Sequence, residues 1–347
     1  MDKHPEKDYS IIVPTYNRRD ELEELLESLT RLDFSANRFE VIISDDGSTD
    51  DTSVLIERYR EQGKIPLVFL QQKNSGPGAA RNHGIAQARG AFFIFIDSDV
   101  TVPVDWLTQI DTTLKREQAD AFGGPDTYRD DFPPLLKAIN YSMTSFLTTG
   151  GLRGKKGKKL ARFYPRSFNM GLRRGLWAKI GGFGTLRHGQ DIEFSHRIIS
   201  RGAKTVFINN APVFHKRRTN LRRFYKQVFN WGVARINLYK IDSKMLEPLH
   251  AAPAIATLFV FGVALATIFF PEFRLIFGIG VIIALALMLF AMLDAARTYH
   301  SVLPALYLPF VMHAQVFGYG LGFIYNFIRR VVFRRGEKSG FSKNYYK

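Results

Sequence analysis

The sequence predicts an α/β domain with a mostly parallel sheet flanked by helices, followed by an interfacial amphipathic helix and a C-terminal transmembrane helical region. Three observations carry this. From Tyr9 to about His215, short β-rich apolar runs alternate with helical patterns, the rhythm of a largely parallel sheet. Carboxylates directly follow several of those runs. Past residue 217 come two long apolar stretches, Leu249 to Phe270 and Leu275 to Leu293, without internal charge and close to the roughly 20 residues that cross a hydrocarbon core.

In chain order, Ser10 to Pro14, Val41 to Ser44, Leu67 to Gln71 and Phe92 to Asp97 read as strands. Between them, Arg19 to Leu32 carries Leu22, Leu25, Leu26 and Leu29 at helical spacing, Thr52 to Gln62 follows an acidic N-cap region, and Ala79 to Arg89 supplies a third helix. Thr205 to Phe214 reads as a further apolar strand. Gly150 to Lys159 mixes glycine and lysine without an apolar anchor and predicts a mobile basic loop, a candidate lid over the acceptor. From 217 to 245 the chain predicts an interfacial helix, with Leu221, Phe224, Tyr225, Val228 and Trp231 on one face and Arg222, Arg223, Lys226 and Asn230 elsewhere. The division is therefore 1–216, 217–245 and 246–347, with nucleotide binding expected in 1–100 and acceptor binding and the base in 101–216.

The absence of cysteine excludes disulfides, thiolate metal sites and cysteine nucleophiles. A net charge of +16 calls for an anionic partner: nucleic acid, a phospholipid surface or a phosphate-bearing substrate. No nucleic-acid module is visible, and a basic face beside apolar helices is accounted for by anionic lipid, so nucleic acid is set aside. Met1 to Ser10 has no apolar core of the signal-peptide kind, and the expectation is that the first domain stays in the cytosol.

In open α/β sheets the ligand crevice lies beyond the carboxyl ends of the strands, where Thr15, Asp45, Asp46, Asp97 and Asp99 fall. Singly, each could be a helix cap or a turn residue. The segment IFIDSDV, residues 94 to 100, puts two carboxylates at i and i+2, on one side of a strand end, a pair suited to a hard divalent cation and a sugar hydroxyl.

With these residues in view, the first half resembles a family 2 glycosyltransferase with the GT-A fold. IIVPTYNR (11–18), SDDGSTDD (44–51), NSGPGAARNHG (74–84) and IDSDV (96–100) match that family's successive signatures in order and spacing. The resemblance implies that Pro14, Thr15 and Tyr16 border the base pocket, and that Asp46, with Asp45, pairs with the base. Arg81 and Asn82 would shape the nucleotide side, Asp97 would face the ribose or sugar, and Asp99 would bind Mg2+ or Mn2+ bridging the phosphates of a nucleotide-diphospho-sugar donor. GGFGTLRHGQDIEFSHR (181–197) resembles the segment carrying the catalytic base, here Asp191, with Gln190 in place of the usual glutamate. One base and one displacement imply inversion at the anomeric carbon. His215 has a family counterpart near the metal, and that reading stands level with a structural one.

QVFNW (227–231) resembles the Gln-X-X-Arg-Trp motif of processive synthases, with Asn230 in place of arginine. Gln227 and Trp231 are thus acceptor-binding candidates, against the simpler reading of Trp231 as a headgroup anchor. The expected enzyme is an integral membrane protein, its catalytic domain on the cytoplasmic face as in a bacterial inner membrane, acting on a membrane-held glycan or lipid acceptor in the phospholipid bilayer. A processive polysaccharide synthase and a catalytically silent scaffold remain as alternatives. Finally, Pro304 and Pro309, the glycines 318, 320 and 322, and His313, Gln315 and Asn326 predict that 302–328 is a re-entrant or interfacial hairpin, which would keep the basic tail on the cytoplasmic side.

Overall fold

The computed structural model describes residues 5–145, 163–215 and 220–337. The expected basic lid at 150–159, Lys216 to Arg218 and the end of the basic tail lie outside the described residues. Two compact units emerge, one of residues 5–127 and 164–215 and one of residues 128–145 and 220–337 with Phe163.

The first unit begins β1 (Lys7–Thr15), α1 (Arg19–Leu29), β2 (Phe39–Asp45), α2 (Thr52–Gln62), β3 (Leu67–Gln71), α3 (Pro77–Gln87) and β4 (Gly90–Ile96). It continues with β5 (Val100–Thr101), α4 (Trp106–Glu117), β6 (Ala121–Gly123) and β7 (Asp126–Thr127). The second unit contributes α5 (Pro134–Thr144), and the chain returns to the first for β8 (Asn169–Arg173), α6 (Arg174–Ile180), α7 (Gln190–Ser200), β9 (Thr205–Phe207) and β10 (Val213–His215).

The main sheet has the order β3-β2-β1-β4-β8-β6-β9, with β1 to β4 mutually parallel and β8 antiparallel to both neighbours. Strands buried on both faces must be apolar throughout, and alternate side chains of β1, β2 and β4 enter two separate cores. Ile11, Val13, Val41, Ile43, Ile94 and Ile96 join Trp106 and the leucines of α1 on one face. Ile12, Ile42, Phe93 and Phe95 join Phe183 and Phe194 on the other. Gly84 lets α3 approach this second face closely, since a Cβ there would stand 2.7 Å from the Ile12 side chain. Helix α1 stops at Leu29, short of the expected Leu32.

The expected strand Thr205 to Phe214 is two strands in two sheets. Asn209 to Pro212 turn the chain, so that β9 closes the main sheet while β10 joins a small sheet of order β5-β10-β7.

The second unit holds α5, α8 (Leu221–Ile241), α9 (Pro248–Phe269), α10 (Glu272–Tyr299) and α11 (Val302–Phe327). Residues 128–145 group with these helices, whereas the sequence reading placed them in the acceptor half of the first domain. The reason is that α5 is apolar: Ala138, Ile139, Tyr141 and Met143 are buried with residues of α8, α10 and α11. Three helical segments, Pro248–Phe269, Glu272–Tyr299 and Val302–Val332, are long and apolar enough to cross a membrane.

Two expectations need correction here. The segment 302–328 is one continuous helix, not a hairpin. Pro304 sits in the first turn, where no main-chain hydrogen bond is lost. The glycines tighten rather than loosen: Gly318 faces Val228 and Tyr225, Gly320 faces Thr257 and Pro253, and Gly322 faces the Phe229 main chain. The expected interfacial helix, α8, likewise turns much of its apolar face into the unit, leaving Tyr225 exposed. Phe224 and Val228 are fully buried within the unit, and Gly232 meets Tyr319 and Phe323 of α11. Small residues allowing two helices to close is a common membrane-helix device. Asn326, whose polarity argued against burial in lipid, donates to Val233 O (2.8 Å) and Asn237 Oδ1 (2.8 Å) on α8.

Candidate active site

All of the candidate residues up to His215 lie in the first unit: most stand at or just past the carboxyl ends of its strands, Arg81 and Asn82 lie on α3, and Asp191 lies at the start of α7. The loops after β1 and β2 are tied together: Asn17 N donates to Ser48 Oγ (2.8 Å), Thr49 N to Asn17 Oδ1 (2.7 Å) and Arg19 N to Asp50 Oδ2 (3.1 Å). Pro14 and Thr15 are buried, and the Thr15 hydroxyl has no hydrogen-bond partner among the described residues. A buried donor without a partner at a strand end suits a ligand contact. Tyr16 follows, partly exposed.

Asp46 is saturated. Its Oδ1 accepts from Gln72 Nε2 (2.7 Å) and Ser75 N (2.8 Å), and its Oδ2 from Gly76 N (2.7 Å). It therefore fastens the loop after β3 to the end of β2. Asp45 accepts from Ser48 N (3.1 Å) and Gln71 Nε2 (3.3 Å). Asn82 is also committed to the main chain, clamping Phe183 by accepting from its N (2.8 Å) and donating to its O (2.9 Å). Arg81 is buried, lies over the Phe183 ring at 5.3 Å, and pairs with Asp97 at 2.5 Å.

The small sheet builds a second cluster. Val100 of β5 stands opposite His215 of β10, and β10 runs parallel to β7, which starts at Asp126. This pairing brings His215 Nε2 to 3.2 Å from Asp99 Oδ1 and His215 Nδ1 to 3.8 Å from the buried Asp126 Oδ2. Asp97, Asp99 and His215 each offer a ligand atom, all within 4.8 Å of one another. Two carboxylates and an imidazole at that spacing fit one divalent cation. Burial disfavours the charged imidazole, but the carboxylates of Asp99 and Asp126 outweigh it and push the His215 pKa up to about 9. A proton and a metal ion would compete for this ring.

Asp191 occupies the first turn of α7, where the helix N-terminus favours an anion. Arg166 Nη1 lies 3.2 Å from its Oδ2, and Ile192 N donates to its Oδ1 (2.9 Å). Burial raises the pKa of this carboxyl, but Arg166, with Arg81 behind it, holds it below the usual carboxylate range. Gln190 is buried against Gly78 and donates through Nε2 to Gly184 O (2.9 Å), a bond an ionised glutamate could not make.

Three residues that pair with these groups, Arg18 with Asp99, Arg166 with Asp191 and Asp126 beside His215, were not assigned a role by the sequence reading. Arg18 stood in view at the end of IIVPTYNR, and Arg166 lay outside every quoted motif. Asp126 gave no signal, because only strand pairing brings it to His215. Gln227 and Trp231 belong to α8 of the second unit, where Trp231 packs against the buried cluster of Phe224 and Val228.

The sheet, its order and its helices define a GT-A fold. Residues 10–180 match the family described as Glycosyl transferase family 2, and this domain of the chain belongs to that family. Among curated relatives, it is 44% identical over 91 residues to the poly(ribitol-phosphate) beta-N-acetylglucosaminyltransferase TarS of Staphylococcus aureus, covering 26% of this chain and 16% of that protein. It is 38% identical over 91 residues to the GalNAc(5)-diNAcBac-PP-undecaprenol beta-1,3-glucosyltransferase of Campylobacter jejuni, covering 26% of this chain and 29% of that one. The chain thus spans less than a third of the length of either. In fold, it is similar to the mannosyltransferase PcManGT of Pyrobaculum calidifontis, solved with GDP-Man and Mn2+, at 18% identity and a TM-score of 0.65, covering 92% of this chain and 87% of that one.

Proposed function

We propose that this protein is an inverting, metal-dependent glycosyltransferase. It would move a sugar from a nucleotide-diphospho-sugar to a hydroxyl of a membrane-held, lipid-linked glycan acceptor at the cytoplasmic face. The observation that carries the reading is the convergence of Asp97, Asp99 and His215 beside an ion-paired Asp191, the two groups sharing the charge of Arg81. The nucleotide sugar and Mn2+ in the PcManGT structure support donor and metal, and the undecaprenol-linked substrate in the Campylobacter enzyme's name supports the acceptor class.

Asp97, Asp99 and His215 would hold Mg2+ or Mn2+, which when bound offsets the charge building on the leaving nucleoside diphosphate. Asp191, kept ionised by Arg166, takes the proton of the acceptor hydroxyl as its oxygen bonds to the anomeric carbon. The bond from that carbon to the diphosphate breaks on the opposite face, and the nucleoside diphosphate departs with the electron pair. Pro14, Thr15 and Tyr16 line the base side, Asp45 and Asp46 order the loops around it, and Arg81 and Asn82 fix the floor. The three apolar helices of the second unit would anchor the enzyme in the bilayer.

Calorimetric titration of nucleoside diphosphate with Mn2+ tests the assignment. Asp99→Asn should lose metal-dependent binding. Asp191→Asn should bind nearly as the wild type and fail to transfer sugar. Equal loss of binding in both variants would refute Asp191 as the base.

A further inference from the structure

The Arg18 side chain belongs to neither the metal cluster nor the base, yet it touches both the cluster and open space. Its Nη1 lies 3.1 Å from Asp99 Oδ2 and 3.4 Å from Glu21 Oε1, and the side chain is 26% exposed. With His215 on Oδ1, both oxygens of Asp99 are already paired with cationic groups of the chain itself. A metal ion that takes Asp99 as ligand must therefore compete with Arg18.

A salt bridge beside a helix start is ordinary; the placement of this one is not. The residues on either side of Arg18 are pinned by the bonds from Asn17 N, Asn17 Oδ1 and Arg19 N to the loop after β2, and Asn17 takes a positive φ of 49° to make them. The Arg18 backbone is thus held at the rim of the cluster, while its side chain is fixed only by Asp99 and Glu21 and stays partly exposed. When a divalent cation neutralises Asp99, the guanidinium loses the shorter of its two ion pairs and keeps only Glu21 at 3.4 Å, and the new anion at that rim is the donor's diphosphate. A planar guanidinium is well matched to phosphate oxygens.

We propose that Arg18 is a reader of the donor diphosphate which, before ligand arrives, is parked on Asp99 and exchanges that carboxylate for phosphate as the metal enters. The inference rests on the donor and metal assigned above. It predicts effects of opposite sign on two ligands, a signature that mere structural support would not produce. Metal alone must displace Arg18, so its removal favours metal; diphosphate gains Arg18, so its removal weakens diphosphate.

The test uses the full chain in detergent, titrated first with Mn2+ alone and then with UDP and GDP at saturating Mn2+. Arg18→Gln should bind Mn2+ several-fold more tightly than wild type and the preferred nucleoside diphosphate about tenfold more weakly, as for loss of one charge-assisted contact. Arg18→Lys, which keeps the charge, should fall between on both counts. An unchanged or weakened Mn2+ affinity in Arg18→Gln, or an unchanged diphosphate affinity, would overturn the proposal. Loss of both ligands with a lowered thermal midpoint would assign Arg18 a structural role and overturn it equally. Failure of the proposed function would show differently, as a wild-type protein that binds neither Mn2+ nor either diphosphate.

Discussion

Replacing Asp46 by asparagine separates two accounts of the residue that share one expected loss of function. The family resemblance implies that this carboxylate pairs with the nucleotide base; the structure shows both oxygens accepting hydrogen bonds from Gln72, Ser75 and Gly76, with the residue only 1% exposed. An asparagine keeps one acceptor oxygen and turns the other into an NH2 group. In either orientation that group faces a main-chain N–H, of Gly76 or of Ser75, and no relaxation short of moving the loop restores the bond. Losing a charge-assisted bond and orphaning a buried N–H costs about 2 to 4 kcal/mol. For a unit of this size each kcal/mol lowers the melting temperature by about 2 to 4 °C, so a drop of roughly 4 to 16 °C is expected. Thermal unfolding in detergent, followed beside nucleotide titration, reads both quantities. Asp46→Asn should melt early and bind nucleotide weakly together, through displacement of residues 72–76. A variant that melts like the wild type while losing nucleotide would refute the loop-fastening account and restore direct base contact.

Arg166→Gln should shift the acid limb of the pH–kcat profile to higher pH. Removing the guanidinium raises the pKa of Asp191, so the base is ionised only at higher pH, and an unmoved limb would mean that Asp191 is not the titrating base. Gly322→Leu should part α8 from α11, because the new side chain points into the Phe229 main chain; a cost of about 1 to 3 kcal/mol or more is expected, read as a lower melting temperature of the detergent-solubilised chain.

The legible part of this molecule is the part whose chemistry is local. The strands β1, β2 and β4 announce themselves because burial on both faces demands apolar runs, and the leucines of α1 because one stripe must meet that sheet. Asp97 and Asp99 could be read as a pair because they stand two residues apart in sequence, although they lie on the turn between β4 and β5 rather than on the strand itself. His215 could be named but not placed. Its approach to Asp99 depends on the turn at Asn209 to Pro212 that sends β10 into the small sheet, and on the pairing of β10 with β5. Asp126 was invisible for the same reason, more than 80 residues away in sequence from the imidazole it approaches.

The reading of 302–328 failed on a different physical ground. Glycine, proline and asparagine were weighed as if each helix met only lipid, where a flexible or polar residue weakens a span. Their actual surroundings are other helices. Gly318, Gly320 and Gly322 leave room for α8 and α9, and the amide of Asn326 bonds to the Val233 carbonyl and to Asn237. A residue costly against lipid can thus stabilise a helix against protein, and composition alone cannot distinguish the two. Such a distinction needs a partner surface, and α8 supplies one: its own glycine, Gly232, faces the same stretch of α11, and its own amide, Asn237, meets Asn326. Small and polar residues recurring on two segments, rather than on one, are the pattern that indicates packing. Segments 225–237 and 318–330 carry that pattern jointly, and it follows that they pack as parallel neighbours, Val228 beside Gly318 and Asn237 beside Asn326 and Arg330.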